Sequence, residues 1–575
     1  MSKTVIQYVI SRLKEHGVSD YFGVPGDFAY PILDGILDDK DAQWRGSCNE
    51  LNGGYSADGY ARIKGLGAVV STYIAGELSL VNALACAYGE HVPIISMVGM
   101  PSRQQQATGE FWHHMIDRHD YDMFVKMQKT VTIASAILTP ENCVAEFERV
   151  LAAVLYHRRP GYLGFPGDVA HLPIVNTTVP DNIPFANPQS DPATLEQSVS
   201  HIVEVMSKAQ KACILPGVVV KRCGLSDLAT QLVDATGLPF ATAFQDKSTI
   251  DETNPNYMGM FMGKFANPEV NEFFSSSDCI LGLGPIRHYF NTGFFTAEYD
   301  VSKTINVQMH EVRVGNAVYK NVEMKDVLEA LIKKLPKWKD VKAPSKITPF
   351  GEPTGSGSDP IDAGNPFYAR LAKFLKPGDI LVGDPGSPAL AATVMNLPEG
   401  AELQSQGVAG SIGFGTPAAL GAAVAAPDRR VVMVGGEGAH QLTAQEIGQF
   451  YKFGLKPVFI VINNDGYLVE RYTCWDPEQE FNDLPKWEYH KLPEVFGCKD
   501  WFTTKVTTTG ELDAALEEVN KNDRAAYIEV VTDRYSMPPM SETMFTLTRQ
   551  KFGQTFTWEE WYTAFKKGKN IAIRK

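Results

Sequence analysis

Nowhere in its 575 residues does the chain hold a run of 18 or more apolar residues, so it carries no segment of the kind that crosses a bilayer as a helix. Cysteine is sparse. Cys48, Cys86, Cys143, Cys213, Cys223, Cys279, Cys474 and Cys498 are scattered without a CxxC pair, which argues against zinc knuckles and dithiol redox sites and fits a reducing compartment. Positive charge is in deficit: 53 Lys and Arg against 67 Asp and Glu leave a net charge of −14, which disfavours a general nucleic-acid or anionic-membrane surface. The N-terminal MSKTVIQYVISRLKEHGV is amphipathic and of mixed charge. It lacks the apolar core and cleavage site of a secretory signal. The C-terminal IAIRK shows neither a lipidation box nor a peroxisomal address. A cytoplasmic location is expected.

What is present is an ordinary globular composition, 44% hydrophobic and 21% charged, at a length that suggests roughly three to four domains. Residues 1–185 alternate helix and strand. The pattern predicts a helix over Val5–Lys14 with Tyr8, Val9 and Leu13 on one side, a strand ending at Phe22-Gly23-Val24, and a strand over GAVVSTYI. A helix from Glu77 to Tyr88, the strand IISMVGM and a helix over ENCVAEFERVLAAVLYHR follow. Pro-rich residues 176–192 read as a linker. A second region, 186–345, carries the strands ACILPGVVV and CILGLG. A Pro-, Gly- and Ser-rich segment, 346–366, separates it from a third region, 367–555, and an amphipathic helix and tail occupy 556–575. The expected fold is α/β, with three doubly wound parallel-sheet domains. Gly282-Leu283-Gly284 follows a strand as a dinucleotide fingerprint would. Arg287 stands where the third glycine is needed, so a structural turn is the better reading.

The most informative stretch is VVMVGGEGAHQLTAQEIGQFYKFGLKPVFIVINN, residues 431–464. It reads as strand, Gly-rich turn, helix and strand, with Glu437 after the first strand and Asn463-Asn464 after the second. Both ends fall on the carboxyl edge of a parallel sheet, where open α/β sheets bind ligands. Carboxylate, amide and exposed backbone are the hard oxygen donors that Mg²⁺ takes and shares with a diphosphate. Three further features lie in the first region. GVPGDF sets Asp27 just beyond a strand, CNELNGGYSADGYAR sets Glu50 at a helix start, and GEFWHHM places His113 and His114 together in a loop. Singly, each has a plain reading: Asp27 suits a cap for a helix beginning near Ala29, Glu50 complements a helix dipole, and a His pair is usually surface or core.

Together these motifs resemble the thiamin diphosphate-dependent 2-oxo acid decarboxylases, the pyruvate, indolepyruvate and branched-chain group. The resemblance extends over nearly the whole chain and includes SQGVAGSIGFG ahead of the metal motif. It implies a first domain that binds the cofactor's pyrimidine, a structural middle domain and a third domain that binds the diphosphate. The implied metal ligands are Glu437, Asn464 and the Gly466 carbonyl. Glu437 departs from the family's Asp and reaches about one methylene further, at a site where Mg²⁺ wants octahedral oxygens at roughly 2.0–2.1 Å. Implied cofactor-binding residues are Gly386, Ser387, Gly410, Ile412, Gly436, Gly438, Ala439, Asn464 and Tyr467. The Gly410 carbonyl would meet the pyrimidine amino group, and Ile412 would wedge the cofactor into a bent form.

The chemistry behind these roles is that loss of CO₂ from a 2-oxo acid leaves an acyl carbanion, whose electrons the thiazolium stores as an enamine. Glu50, facing the pyrimidine, would favour the tautomer that takes the thiazolium proton. That role requires a protonated carboxyl and hence a pKa raised by desolvation. Asp27, His113 and His114 would supply the proton that completes the aldehyde. Glu470, in GYLVERY, resembles the family Glu that handles the substrate carboxylate; taken alone it reads as a surface helix residue.

The function implied is decarboxylation of a 2-oxo acid to an aldehyde and CO₂, in a homodimer or a dimer of dimers (a homotetramer) with its sites between subunits. Positions corresponding to the substrate pocket are Tyr289, Pro385, Ala389, Leu390, Val469 and Thr473. Several are smaller than the residues of pyruvate-preferring members, which points to branched or aromatic side chains, with pyruvate as the alternative. An acetolactate synthase-like carboligase, often FAD-bearing, is the reading from another class; the His pair and Glu470 argue against it. A non-catalytic relative has only Glu437 in its favour. VVVKRC lacks a cysteine where some fungal relatives carry an activating one, Cys223 coming a few residues later, and sigmoidal activation is not predicted.

Overall fold

Each of the three α/β regions builds its own sheet in the computed structural model, which describes residues 3–117, 120–338, 341–347 and 350–567. The first sheet contains β1 (Asp20–Gly23), β2 (Gln43–Gly46), β3 (Gly67–Ser71), β4 (Ile94–Met100), β5 (Ala134–Ile137) and β6 (Gly161–Pro166), in the order β2-β1-β3-β4-β6-β5, all parallel. The second contains β7 (Ala212–Pro216), β8 (Phe240–Thr242), β9 (Tyr257–Met260), β10 (Cys279–Leu283), β11 (Thr304–Val307), β12 (Glu311–Val314) and β13 (Ala317–Lys320). Its order is β13-β12-β11-β10-β7-β8-β9, parallel apart from the antiparallel pairings of β12. The third contains β14 (Ile380–Gly383), β15 (Glu402–Gln404), β16 (Val431–Gly436), β17 (Val458–Asn463), β18 (Phe502–Val506) and β19 (Ala526–Val531), in the order β15-β14-β16-β17-β19-β18, all parallel.

The chain folds into two compact units. One is Met1–Ser190 with Arg222–Gly224 and Thr416–Asp428; the other is Asp191–Lys221, Leu225–Gly415 and Arg429–Lys575. In the first, a Cβ on Gly59 would overlap the Ala418 carbonyl and one on Gly421 would overlap the Ser56 carbonyl, so residues 416–425 lie backbone against backbone on the helix Glu50–Lys64. The second unit holds two sheets because they share one core: Phe244, Met260, Met262 and Phe265 cluster with Leu381, Val432 and Ile460. A buried ion pair reinforces this. Lys247 Nζ lies 2.6 Å from Glu252 Oε1 and donates to the Met395 carbonyl at 2.6 Å, and Glu252 Oε2 accepts the Leu397 amide at 3.0 Å.

Local chemistry explains where elements start and stop. The first helix runs Val5–Glu15 behind a Thr4–Gln7 capping box and buries Val5, Ile6, Val9, Ile10 and Leu13. Tyr8 falls at the edge of that face, where its hydroxyl donates to Glu148 at 2.8 Å. ACILPGVVV is not one strand. It ends at Pro216, and Val218–Arg222 is helical despite three valines, with the Val218 amide donating to the buried Asp246 carboxylate at 2.7 Å. Gly282-Leu283-Gly284 is a packing turn: a Cβ on Gly284 would lie 2.7 Å from Val219 Cβ, and one on Gly282 would lie 2.9 Å from Asn306 Oδ1.

GAVVSTYI is a strand only to Ser71. Beyond it the Ala75 amide donates to the Tyr73 carbonyl at 2.6 Å around Ile74, whose φ of 53° and ψ of −72° make a γ-turn, and the helix Ala75–Gly89 follows. The segment 176–191 carries no helix or strand, and the described part of 346–364 carries none either. The C-terminal helix is Trp558–Lys566; the tail from 568 onward lies outside the described residues. No described helix is long and apolar enough to cross a membrane.

Candidate functional site

The second unit places Glu437 directly after β16, as the first residue of a one-turn helix, Glu437–His440. Val431–Val434 are buried in the parallel sheet, so the strand delivers the carboxylate to the sheet's carboxyl edge, where it is 1% exposed. Glu437 Oε1 accepts the Asn464 amide at 3.2 Å and the Gly466 amide at 2.8 Å. The side-chain amide of Asn464 lies 3.0 and 2.9 Å from the two Glu437 oxygens and 3.2 Å from the Gly466 carbonyl. With its nitrogen turned inward it donates to all three. With its oxygen turned inward, four oxygens converge, a donor set of the kind that holds a cation. These hard donors fit a divalent ion of the Mg²⁺ type. Burial pushes the Glu437 carboxyl up to about 7 against the opposing amide bonds, and a bound cation would reverse that push.

The loop after β17 is braced from behind. Fully buried Arg471 donates to the Asp465 carbonyl at 3.0 Å and to Asp483 Oδ1 at 2.7 Å, while the Tyr467 amide donates to the Asn482 carbonyl at 2.8 Å. Gly466, at φ 149°, has no room for a Cβ against Arg471 and the Asn482 carbonyl. A Cβ on Gly438 would meet the Tyr467 ring at 2.6 Å.

A cavity beside these oxygen donors is lined by Pro385, Gly386, Ser387, Ile412, Gly436, Glu437, Gly438, Ala439, Gly466, Tyr467, Val469 and Glu470. Two helix N-termini, at Ser387 and Glu437, open onto it, which favours an anionic group. Glu470 is exposed at the cavity rim on the helix Leu468–Thr473. Other expected residues lie elsewhere. Ala389 and Leu390 pack in the core, and the Thr473 hydroxyl donates back to the Val469 carbonyl at 3.0 Å. Tyr289 stacks on Phe294 at 4.2 Å in an aromatic cluster, and a Cβ on Gly410 would lie 3.7 Å from the neighbouring Phe290.

Sequence reasoning missed Ala363, Tyr368, Leu468 and Pro538 in the lining, as well as Arg471 and Asp384 behind it. Asp384, fully buried after β14, accepts the Gly413 amide on Oδ1 at 3.0 Å and the Gly415 amide on Oδ2 at 2.9 Å. Burial pushes its carboxyl up to about 7. Its signal was an acid one residue past a buried strand.

In the first unit, Asp27 opens the 3₁₀ turn Asp27–Ala29 that leads into the helix Tyr30–Asp38. It caps neither; its carboxylate lies 2.8 Å from His113 Nε2. His113 stacks on Phe28 at 4.7 Å, and His114, at φ 69°, lies 4.6 Å from it ring to ring. Ligating atoms of Asp27, His113 and His114 fall within 4.8 Å of one another, all exposed. Glu50 begins the helix Glu50–Lys64, whose N-cap Asn49 accepts the Asn52 amide at 2.8 Å. A Cβ on Gly53 would lie 2.9 Å from Gly23 Cα, so the Asn-Gly-Gly run lets this helix press onto the end of β1. The Glu50 carboxyl is half-buried and raised by desolvation, opposed by its own backbone amide and Ser79.

Three family matches cover most of this architecture: the N-terminal TPP binding domain of thiamine pyrophosphate enzymes over residues 3–122, their central domain over 199–335, and their C-terminal TPP binding domain over 384–530. The chain is 34% identical over 543 residues to an alpha-keto-acid decarboxylase of Mycobacterium leprae, covering 93% of this chain and 94% of the relative. It is 35% identical over 542 residues to one from Mycobacterium avium, covering 93% and 95%. It is also 34% identical over 541 residues to a pyruvate decarboxylase of Candida glabrata, covering 92% and 95%.

Proposed function

The chain belongs to the thiamine pyrophosphate enzyme family, and from that premise we infer that it decarboxylates a 2-oxo acid to an aldehyde and CO₂ with thiamin diphosphate and Mg²⁺. The observation that carries this reading is the convergence of Glu437, Asn464 and the Gly466 carbonyl beside a cavity with two helix N-termini. When bound, the cofactor supplies an electron sink next to the carbon that loses CO₂. Residues 367–555 form the diphosphate region: Glu437, Asn464 and Gly466 hold the metal, and Gly386, Ser387, Gly436, Gly438, Ala439 and Tyr467 take the diphosphate. Gly410 and Ile412 orient the remainder of the cofactor.

Residues 1–185 form the pyrimidine region. Glu50 holds a proton there, in keeping with its desolvated carboxyl. Asp27, His113 and His114 supply a proton to the carbon that has lost CO₂, and Glu470 meets the substrate carboxylate at the cavity rim. Pro385 and Val469 leave room for a branched or aromatic substrate side chain. The protein works in the cytoplasm as a homodimer or dimer of dimers, the first region of one copy facing the third region of another. Exposed Tyr30, Phe111 and Ile116, near the exposed Asp27–His113–His114 cluster, support such an interface.

The test is aldehyde release from a panel of 2-oxo acids after exhaustive dialysis against chelator, with thiamin diphosphate and Mg²⁺ restored separately and together. Turnover is expected only with both, and fastest on branched or aromatic acids. Full activity in a cofactor-free sample, or no release from any acid, refutes the reading.

A further inference from the structure

Gly413 is gripped at both of its backbone polar groups by side chains from different elements. Its amide donates to Asp384 Oδ1 at 3.0 Å, from the end of β14, and its carbonyl accepts the Thr443 hydroxyl at 2.8 Å, from the segment that follows the Glu437–His440 helix. The second Asp384 oxygen takes the Gly415 amide at 2.9 Å. Asp384 and Thr443 are both fully buried. Gly413 adopts φ 86°, a left-handed conformation, and a Cβ there would press on Leu442 Cβ at 3.0 Å and Thr443 Cγ2 at 3.2 Å. A Cβ on Gly415 would lie 2.7 Å from Asp384 Oδ2. The glycines thus let two peptide amides close directly onto one carboxylate.

The chemistry of Asp384 is unusual for a residue with a merely structural task. No lysine, arginine or histidine pairs with it among the described residues, and the only groups opposing its desolvation are the two amides. A buried carboxylate held by neutral donors alone is costly, and a neutral side chain would fill the volume at less expense. What a carboxylate alone supplies is two equivalent acceptors in a fixed fork, matched to amides two residues apart. An asparagine would accept one and turn its NH₂ toward the other.

We propose that Asp384 and Thr443 are a pair of positioning residues that latch the Gly410–Gly415 loop, tying its place to both the β14 edge and the metal-motif segment. The proposal rests on the reading that this loop, through Gly410 and Ile412, shapes thiamin diphosphate. Neither residue touches substrate; each acts through Gly413.

The test uses the full-length protein with Thr443→Val, which keeps the shape and loses the donor, Asp384→Asn, and the double variant. Amide hydrogen exchange over residues 410–415 and the sheet strands is followed in the apoprotein, with thiamin diphosphate affinity measured alongside. The latch predicts exchange over 410–415 at least ~10-fold faster and affinity about 10-fold weaker in each single variant, with exchange in the sheet strands unchanged and a double variant little worse than Asp384→Asn. Thr443→Ser, which keeps the hydroxyl donor, should match the wild type in both. Unchanged exchange overturns the latch. So does exchange that quickens throughout the chain, or fully additive effects, since both mark a general structural role. If Asp384→Asn does not fold, Thr443→Val decides alone. A wild-type protein that binds no thiamin diphosphate defeats the functional reading instead, and hydrogen exchange still decides the latch.

Discussion

The two clusters of candidate catalytic groups live in opposite environments. Asp27 and His113 in the first unit have side chains 46% and 52% exposed, whereas Glu437 in the second is 1% exposed and walled by its own loop. Burial raises the Glu437 carboxyl against the backbone amides that oppose it, so the chain supplies both the low-dielectric surroundings and the donors that work against them. The Asp27–His113–His114 cluster has its geometry but not its walls. The carboxylate and amide groups around Glu437 are therefore preorganised within one fold unit, whereas the Asp27–His113–His114 cluster stands open at the surface of the other.

The sharpest way to break that contrast is Glu50→Gln, which removes the proton-holding carboxyl without changing its size. A loss in kcat of about 10³-fold is expected, within the range for one acid–base group, with hydrogen exchange at the cofactor's reactive carbon lost in parallel. Retained exchange would take Glu50 out of that role. His113→Ala and His114→Ala should each slow aldehyde release about 10²-fold while sparing both exchange and cofactor affinity, because these groups lie outside the buried cradle. If either weakens thiamin diphosphate binding as strongly as a cradle substitution, the separation of roles fails.

Glu437→Gln probes the other side. Replacing one proposed metal ligand should weaken Mg²⁺-dependent cofactor binding about 10- to 100-fold by calorimetry. Its pH signature follows from a carboxyl raised from 4.5 to about 7. The folded apoprotein keeps a proton that the unfolded chain releases. This contribution is complete below pH 4.5 and lost as pH rises through 7, on the order of 3 kcal/mol at most. The thermal midpoint of the apoprotein should therefore fall from pH 6 to 8, less steeply in Glu437→Gln, with Asp384 contributing in the same direction. Cofactor and Mg²⁺ should stabilise most at pH 8. A flat wild-type profile contradicts this. The smallest effect is expected at the substrate wall: Val469→Phe should shift preference toward pyruvate by about 10-fold in kcat/KM, read from competing substrates.

Part of the site was legible in the residues. Period and composition alone located β4 to the residue and placed Glu437 and Asn464 at two strand ends on one sheet edge. The Asp27–His113 approach was not legible as geometry: an acid before a helix reads equally well as a cap, and only the fold brings residue 113 back to it. Val218–Val220 read as strand because β-branched residues favour strands, yet Asp246 at the amide of Val218 turned them into a helix. Arg471 carried no signal in the sequence, since its partners, loop carbonyls and Asp483, come together only in the fold. Composition marked 346–366 as a boundary but carried no information about the core that closes across it.

That shared core bears on how such a protein can be recombined. Lys247 and Glu252 neutralise each other on one side of 346–366, but their remaining bonds go to the Met395 carbonyl and the Leu397 amide on the other, so a chimera joined there keeps the pair satisfied only where the second parent's backbone follows the same course. A crossover near residue 190 avoids that constraint but meets another: residues 416–425 lie flush against Ser56 and Gly59, so a donor's first 190 residues would graft cleanly only with its own 416–428. The heritable module is discontinuous, and laboratory shuffling that respects only the linear order of the three sheets would discard most of its progeny.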